Sequence, residues 1–518
     1  MNRSKMLARI EEKKERWDFI IIGGGATGTG VALDAASRGY SVLLLEKGDF
    51  GQGTSSRSTK LVHGGVRYLR QGNVGLVLEA LKERGVLRRN APHLVHNLPF
   101  IVPNYDWWEG PFYGVGLKIY DMLAGKEGFG KSEILSKDET IEHIPTVETS
   151  GLNGGVIYYD GQFDDARLVI NLAQTAAEQG ATLLNYMKVL RLTKRSHVVN
   201  GVVAVDTETD KEYELKARAV INATGAFTDG IRNMDEMGVK PMISPSQGVH
   251  IVLDRSFLPG DSAIMVPHTD DGRVLFAIPW HDRVIVGTTE TPLKDISSEP
   301  KPLPAEVEFL ISHAARYLSK DPTESDVLSM FAGIRPLVGG EGVANTSVLS
   351  RDHVLIISRS GLITITGGKW TTYRKMAEDT IDHAIVVGQL NFKPCVTQTL
   401  QIHGYHQHAE QFGDLQIYGS DGPAILDLIQ ENPKYGEKLH PEMAPVVGEV
   451  LWAVRQEMAR NVVDFLSRRR RSLLLNAKTS MEMAPKVAEW MAKELGKSNK
   501  WRKIQVDEFT RLANNYLP

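Results

Sequence analysis

Between Trp17 and Glu46 the chain reads WDFIIIGGGATGTGVALDAASRGYSVLLLE. An apolar run, a glycine cluster, a stretch of small residues and a second apolar run predict strand, tight turn, helix and strand. The unbroken first run is the pattern of a parallel strand buried on both faces. A second stretch of this kind begins at Asp164, a suitable helix N-cap. Leu168, Val169, Leu172 and Ala176 follow at helical spacing, and Gly180 suits the stop. Strand-like runs at 202–205 and 219–222 would extend the same sheet. From 240 to 339 the runs shorten and are punctuated by Pro and Gly, as in VLFAIPW and RVIVGTT, which predicts an antiparallel layer interrupting the first domain. After about Gln389 the period turns helical, with Val447, Val450, Leu451, Val454 and Met458 on one stripe and Arg455, Glu457 and Arg460 off it.

Composition narrows the class. A length of 518 residues suggests about two to four domains. At 42% hydrophobic and 24% charged, the chain has the balance of a soluble globular protein. The single cysteine, Cys395, excludes an intrachain disulfide, and nothing near it resembles a metal-ligand cluster; a reducing, cytoplasmic setting fits. The segment 1–16 is highly charged without the apolar stretch of a secretory signal, and no run of about 18 apolar residues follows. A net charge of -3 gives no reason to expect nucleic acid. The charge is uneven, however. From Leu451 onward 14 Lys or Arg stand against 7 Asp or Glu, and Arg468, Arg469, Arg470 and Arg471 form one block. Such a run is either a set of ion pairs and solvated groups or a surface for anionic lipid. No helix–loop–helix calcium pattern is present.

Gly23, Gly25 and Gly28 form G-x-G-x-x-G between the first strand and the helix. These positions serve the tight turn, close backbone approach to a pyrophosphate, and helix–strand packing. Glu46 lies at the end of the next strand, where a carboxylate can accept from ribose hydroxyls. Alone, this motif does not separate NAD from FAD. The following stretch, TSSRSTKLVHGGVRYL from Thr54, is rich in small hydroxylated residues and carries His63-Gly64-Gly65, a composition suited to phosphate, a ribityl chain and a flat ring.

KLVHGGVRYL, INATGAFTD, SPSQGVHIVL, DGRVLFAIPW, VIVGTTET, IRPL, SRDH and GGKWTTYRKMAED occur in that order. Together they resemble the FAD-dependent glycerol-3-phosphate dehydrogenases, members of the glycine oxidase/D-amino-acid oxidase fold group, from about Trp17 to Ser472. The resemblance implies an α/β and α+β protein: a Rossmann-like FAD-binding domain with an antiparallel β-sheet substrate cap, plus an all-helical C-terminal domain. The core would span 17–390, with FAD-binding segments at about 17–90, 156–240 and 336–390 and cap segments at about 91–155 and 241–335; the helical domain would span 391–518. The implied FAD contacts are Gly23, Gly25, Gly28, Glu46, Thr54, Ser55, Lys60, His63, Gly64, Gly65, Val189, Ala223, Gly225, Gly368 and Thr371.

The implied reaction oxidises sn-glycerol 3-phosphate to dihydroxyacetone phosphate. Arg67, Tyr68 and Arg351 are assigned to the phosphate, Arg being a planar fork of donors. Arg335 and Lys369 would orient the C2 hydroxyl and stabilise its oxygen, and His250 is the preferred general base. Related oxidases generally carry an insertion that this chain lacks between Arg351 and the C-terminal helices, so the expected acceptor is membrane quinone rather than oxygen. The expected location is cytoplasmic, peripheral on the inner face of the cytoplasmic membrane. Anionic lipid and a second copy of the chain stand as further candidate partners. An oxygen-reducing oxidase, an amine or amino-acid oxidase and a non-catalytic FAD-binding sensor remain alternatives.

Overall fold

A computed structural model describes residues 1–13, 15–65, 73–106, 109–267, 269–270, 273–339 and 353–518. Within these residues two sheets organise the chain. The eight-stranded sheet has the order His353–Ile357, Ile363–Gly367, Lys211–Asn222, Trp17–Ile22, Val42–Leu45 and Thr182–Leu184. Its neighbours are parallel except at the first pair, and an antiparallel meander of Met187–Arg195 and Val198–Asp206 continues from Lys211–Asn222. Helices Ala26–Ser37, Asp165–Glu178 and Tyr373–Val387 pack with this sheet in one core. Phe19, Ile20, Ile21, Val42, Leu43 and Leu44 are therefore fully buried, which explains the absence of alternation in their sequence. Asp164 caps its helix by accepting from the Arg167 amide, as its position predicts.

The ten-stranded sheet forms the cap. Its order is Thr291–Pro292, Ile243–Asp254, Arg283–Gly287, Leu275–Trp280, Ala263–Val266, Val95–Asn104, Gly154–Phe163 and Leu61–Val62, with Ser329–Val338 also paired to Ile243–Asp254. Three of these strands depart from the expected segment boundaries. Gly154–Phe163 crosses the division at 156, Ser329–Val338 crosses the one at 336, and Leu61–Val62 lies within the first FAD segment, yet all three pair inside the cap sheet. The long antiparallel partner Val95–Asn104 sets the register that draws Gly154–Phe163 into the cap.

The C-terminal region is helical, including Gly422–Glu431, Val447–Gln456, Ala477–Leu495 and Asn499–Ala513. Val447, Val450, Phe465, Val487, Met491 and Phe509 share a core with Trp280, Ile285 and Phe331 of the cap sheet. The stripe predicted to run through Met458 stops earlier: the helix ends at Gln456, and Met458, at φ +56°, packs into the nucleotide-domain core.

The block Arg468–Arg471 is interior, none of the four residues being more than 8% exposed. Arg468 and Arg469 both pair with Asp49, Arg470 with Glu449, and Arg471 with Asp165. The lipid-facing reading of this block is thereby corrected. Its charges are neutralised inside the protein, where Arg suits buried pairing through its fork of donors.

Candidate active site

The glycine motif turns sharply after the first strand. Gly23 sits at φ +109°, outside the range of ordinary side chains, and a Cβ on Gly28 would lie 1.8 Å from the Gly23 carbonyl oxygen. Gly28 thus serves strand–helix packing rather than lining a cavity. Glu46 closes the turn, accepting from the Gly24 amide at 2.7 Å and the Gly48 amide at 2.8 Å. Burial pushes its carboxyl up, and those two amides pull the other way. Around this turn lies a cavity of about 440 Å3 lined by Gly23, Gly25, Glu46, Thr54, Ser55, Val189, Ala223, Gly225 and Gly368.

A second cavity, of about 930 Å3, is lined by Thr54, His63, Gly65, His250, Arg335, Gly368, Lys369 and Thr371 among others. The two share Thr54, Arg57, Pro336, Gly367, Gly368, Lys369 and Trp370, so the loop after strand Ile363–Gly367 stands between the space around the glycine turn and the one that His250 and Arg335 line. Trp370 fixes that loop by donating its indole N–H to the Ser55 carbonyl at 3.0 Å, and Thr371 donates to the His63 carbonyl at 3.3 Å.

His250 lies on strand Ile243–Asp254, opposite Gly287 and Phe331 in register. Its ring stacks on Phe331, with centroids 4.7 Å apart, and Nε2 is 2.9 Å from Thr59 Oγ1. Nδ1 has no hydrogen-bond partner among the described residues. A Cβ on Gly287 would meet the imidazole at 2.2 Å, so glycine there admits the ring. Burial, helped by Lys60 and Arg335, holds His250 well below the usual histidine range, and the ring is neutral near pH 7. Arg335 donates to the carbonyls of Gln247 and Thr289 and to Thr288 Oγ1.

Three of the expected contacts fall outside the cavity linings. Gly28 is described above. Gly64 is packed tightly: a Cβ there would stand 2.3 Å from Tyr120 Oη and 2.5 Å from Leu81. Lys60, at φ +63°, is fully buried, with Nζ donating to Asp165 at 2.7 Å and to the Ser56 carbonyl at 2.8 Å. Burial lowers its ammonium to about 8 despite Asp165, and its place is structural, beneath the loop that carries Thr59. Arg67, Tyr68 and Arg351 lie outside the described residues. Thr59 and Trp370 were not singled out in the sequence. Thr59 stood within the hydroxyl-rich stretch and Trp370 within the GGKWTTY motif, but their partners His250 and Ser55 lie 191 and 315 positions away.

The residues fit an FAD. The glycine turn clears backbone space for a pyrophosphate at the N-terminus of helix Ala26–Ser37, whose Gly25 cap offers no competing side-chain bond. Thr366 Oγ1, in the lining of the smaller cavity, is buried without a partner among the described residues.

The family model described as FAD dependent oxidoreductase matches residues 18–374, and that of the C-terminal domain of alpha-glycerophosphate oxidase matches 363–502. The mitochondrial glycerol-3-phosphate dehydrogenase of Mus musculus is 40% identical over 551 residues, covering 100% of this chain and 75% of the relative. That of Schizosaccharomyces pombe is 37% identical over 585 residues, covering 100% and 89%. The structure of glycerol-3-phosphate dehydrogenase from Bacillus halodurans, complexed with FAD, has a TM-score of 0.81 at 30% identity and covers 100% of this chain and 98% of that one. The chain thus belongs to the FAD-dependent glycerol-3-phosphate dehydrogenases, with the mixed sheets and helical C-terminal domain of that family.

Proposed function

We propose that this protein oxidises sn-glycerol 3-phosphate at C2 to dihydroxyacetone phosphate and delivers the electrons to a membrane quinone. The observation that carries the reading is the meeting of His250, Arg335 and Lys369 on one cavity that shares a wall with the glycine-turn cavity. Bound FAD supplies the two-electron acceptor for the hydride that leaves C2. The chain's own residues bind the substrate and move its proton. Arg335 is held by two carbonyls and a hydroxyl, so its guanidinium is preorganised to stabilise the C2 oxygen as charge develops there, with Lys369 on the same wall. His250, neutral in the free site, takes the hydroxyl proton. A dianionic phosphate entering the cavity offsets the field of Lys60 and Arg335 and makes the imidazole a stronger base when substrate is present. Arg67, Tyr68 and Arg351 grip the phosphate.

The names of the mitochondrial relatives support the substrate. No helix among the described residues is long and apolar enough to cross a membrane. Delivery to quinone takes place, in this proposal, by peripheral contact at the inner face of the cytoplasmic membrane. The test is anaerobic mixing with glycerol 3-phosphate while the visible flavin spectrum is followed. Rapid bleaching, absent with glycerol alone, is expected; an untouched spectrum would discard the substrate. Fast release of hydrogen peroxide without added quinone would replace the acceptor by oxygen.

A further inference from the structure

A general base must present a lone pair on the path of the proton it takes, and the surroundings of His250 restrict which nitrogen can do so. Nδ1 is buried without a hydrogen-bond partner among the described residues, which leaves Nε2, and Nε2 has Thr59 Oγ1 at 2.9 Å. The ring is held in this orientation. Phe331 stacks on it with 13° between the planes, and Gly287 passes so close that a Cβ there would stand 2.2 Å from its Cδ2. Beside the imidazole, Thr59 is half-buried and lines the same cavity as Arg335 and Lys369.

Thr59 is fixed from both sides. The Ser58 amide and hydroxyl donate to Asp165 Oδ2 at 3.0 and 2.7 Å, and Lys60 Nζ donates to the same oxygen at 2.7 Å. The Lys60 amide donates to Ser58 Oγ at 3.1 Å. Both chain neighbours of Thr59 therefore hang on one fully buried carboxylate. Branching at Cβ adds stiffness at χ1 of Thr59 itself. A hydroxyl carries one proton and two lone pairs, so Thr59 can donate to Nε2 and at the same time accept from a substrate hydroxyl in the cavity.

We infer that Thr59 is a further catalytic residue, whose hydroxyl relays the C2 hydroxyl proton of the substrate to His250 Nε2. The inference rests on the dehydrogenase reading above and names the atom through which its base works. The C2 O–H bond breaks as an O–H bond forms on Thr59 Oγ1, and the proton that Thr59 held passes to Nε2. The C2–H electron pair leaves with its hydrogen as hydride to bound FAD, and C2 becomes a carbonyl carbon. Thr59 ends as it began, and the imidazolium returns its proton to water through the same hydroxyl once product has left. The relay requires the neutral imidazole to carry its hydrogen on Nδ1; a hydrogen on Nε2 would make Thr59 an acceptor that only orients the ring.

The experiment has two arms. In the first, the histidine tautomers of isotope-labelled wild-type holoenzyme are read by nitrogen NMR, the His250 signal being assigned by its loss in His250→Asn. Hydrogen on Nδ1 is expected, and hydrogen on Nε2 would overturn the relay. In the second, anaerobic stopped-flow follows flavin bleaching by glycerol 3-phosphate. Thr59→Val, which keeps the shape and deletes the hydroxyl, should slow the saturated rate about 100-fold while the half-saturating concentration moves by no more than about threefold. Thr59→Ser restores the hydroxyl and should recover the rate to within about tenfold of the wild type. Bleaching of Thr59→Val at the wild-type rate, or a serine variant as slow as the valine one, would overturn the proposal. The tautomer is read on the unaltered protein and decides the point even where Thr59→Val fails to fold. A wild-type flavin untouched by glycerol 3-phosphate would instead sink the substrate reading and leave the tautomer arm standing.

Discussion

Thr59 Oγ1 lies 2.9 Å from His250 Nε2, which ties the proposed base to the hydroxyl-rich loop after the glycine turn. His250→Asn is expected to slow flavin bleaching by glycerol 3-phosphate about 10²- to 10⁴-fold, the usual share of a general base. Because burial holds the imidazole of the free site well below its ordinary range, the wild-type rate at limiting glycerol 3-phosphate, which reports the free enzyme, should show no acid limb at about 6.5, the titration point of a free histidine. Stopped-flow bleaching measured across pH checks both; an unchanged rate in the variant would remove His250 from the proton path.

Gly28→Ala should yield apoprotein. The added methyl meets a backbone oxygen at 1.8 Å that no rotamer can relieve, so the overpacking cost of about 1 to 3 kcal/mol falls on the cofactor turn itself. The ratio of flavin to protein absorbance after gel filtration reads the loss. Gly75→Ala, with open space around its Cβ, is the matched control and should retain flavin.

Asp49→Ala should destabilise the fold by about 3 to 5 kcal/mol, because it removes the buried carboxylate that Arg468 and Arg469 share and leaves Arg468 only Asp464 and Arg469 the Glu457 carbonyl. Those two groups, against the cost of burial, hold the Asp49 carboxyl at about 2. Chemical denaturation measures the change. Glu494→Ala, which removes the partly exposed pair with Arg455, should cost less than about 1 kcal/mol.

His403 bridges Glu178 of the nucleotide domain and Asp421 of the C-terminal region. Burial opposes its protonation, but the hydrogen bonds to Asp421 and Glu178 prevail and push it up to about 9. A raised folded-state value means that the stabilisation is complete below about 6.5, the unfolded value, and disappears as pH rises through 9. His403→Gln should therefore lower stability by about 2 kcal/mol at pH 6, after allowance for solvent at Glu178, with the gap closing by pH 9.5. Thermal melts at the two pH values test it; an equal gap at both would contradict the charge-based account.

What the sequence disclosed follows the range of each interaction. The turn at Gly23, Gly25 and Gly28, the Asp164 cap and the buried strand at 17–22 depend on neighbours within a few positions, and pattern alone reveals them. The ion pairs do not. Lys60 and Asp165 are separated by 105 positions, so a lysine in a flavin-side motif read as a cofactor contact, when its charge is in fact spent beneath the loop. The run Arg468 to Arg471 was open to both ion pairs and a surface, because the carboxylates that Arg468, Arg469 and Arg471 share at Asp49 and Asp165 lie more than 300 positions earlier.

Arg471 reaches the Ser56 carbonyl across 415 positions of chain. At about 5 to 20 residues per second of synthesis, Ser56 leaves the ribosome roughly 20 to 80 s before its partner exists. The loop 54–60, which lines both cavities, can be tied to Asp165 early but lacks its Arg471 brace through most of translation, so the nascent chain cannot complete this cofactor loop until the C-terminal region has been made and docked.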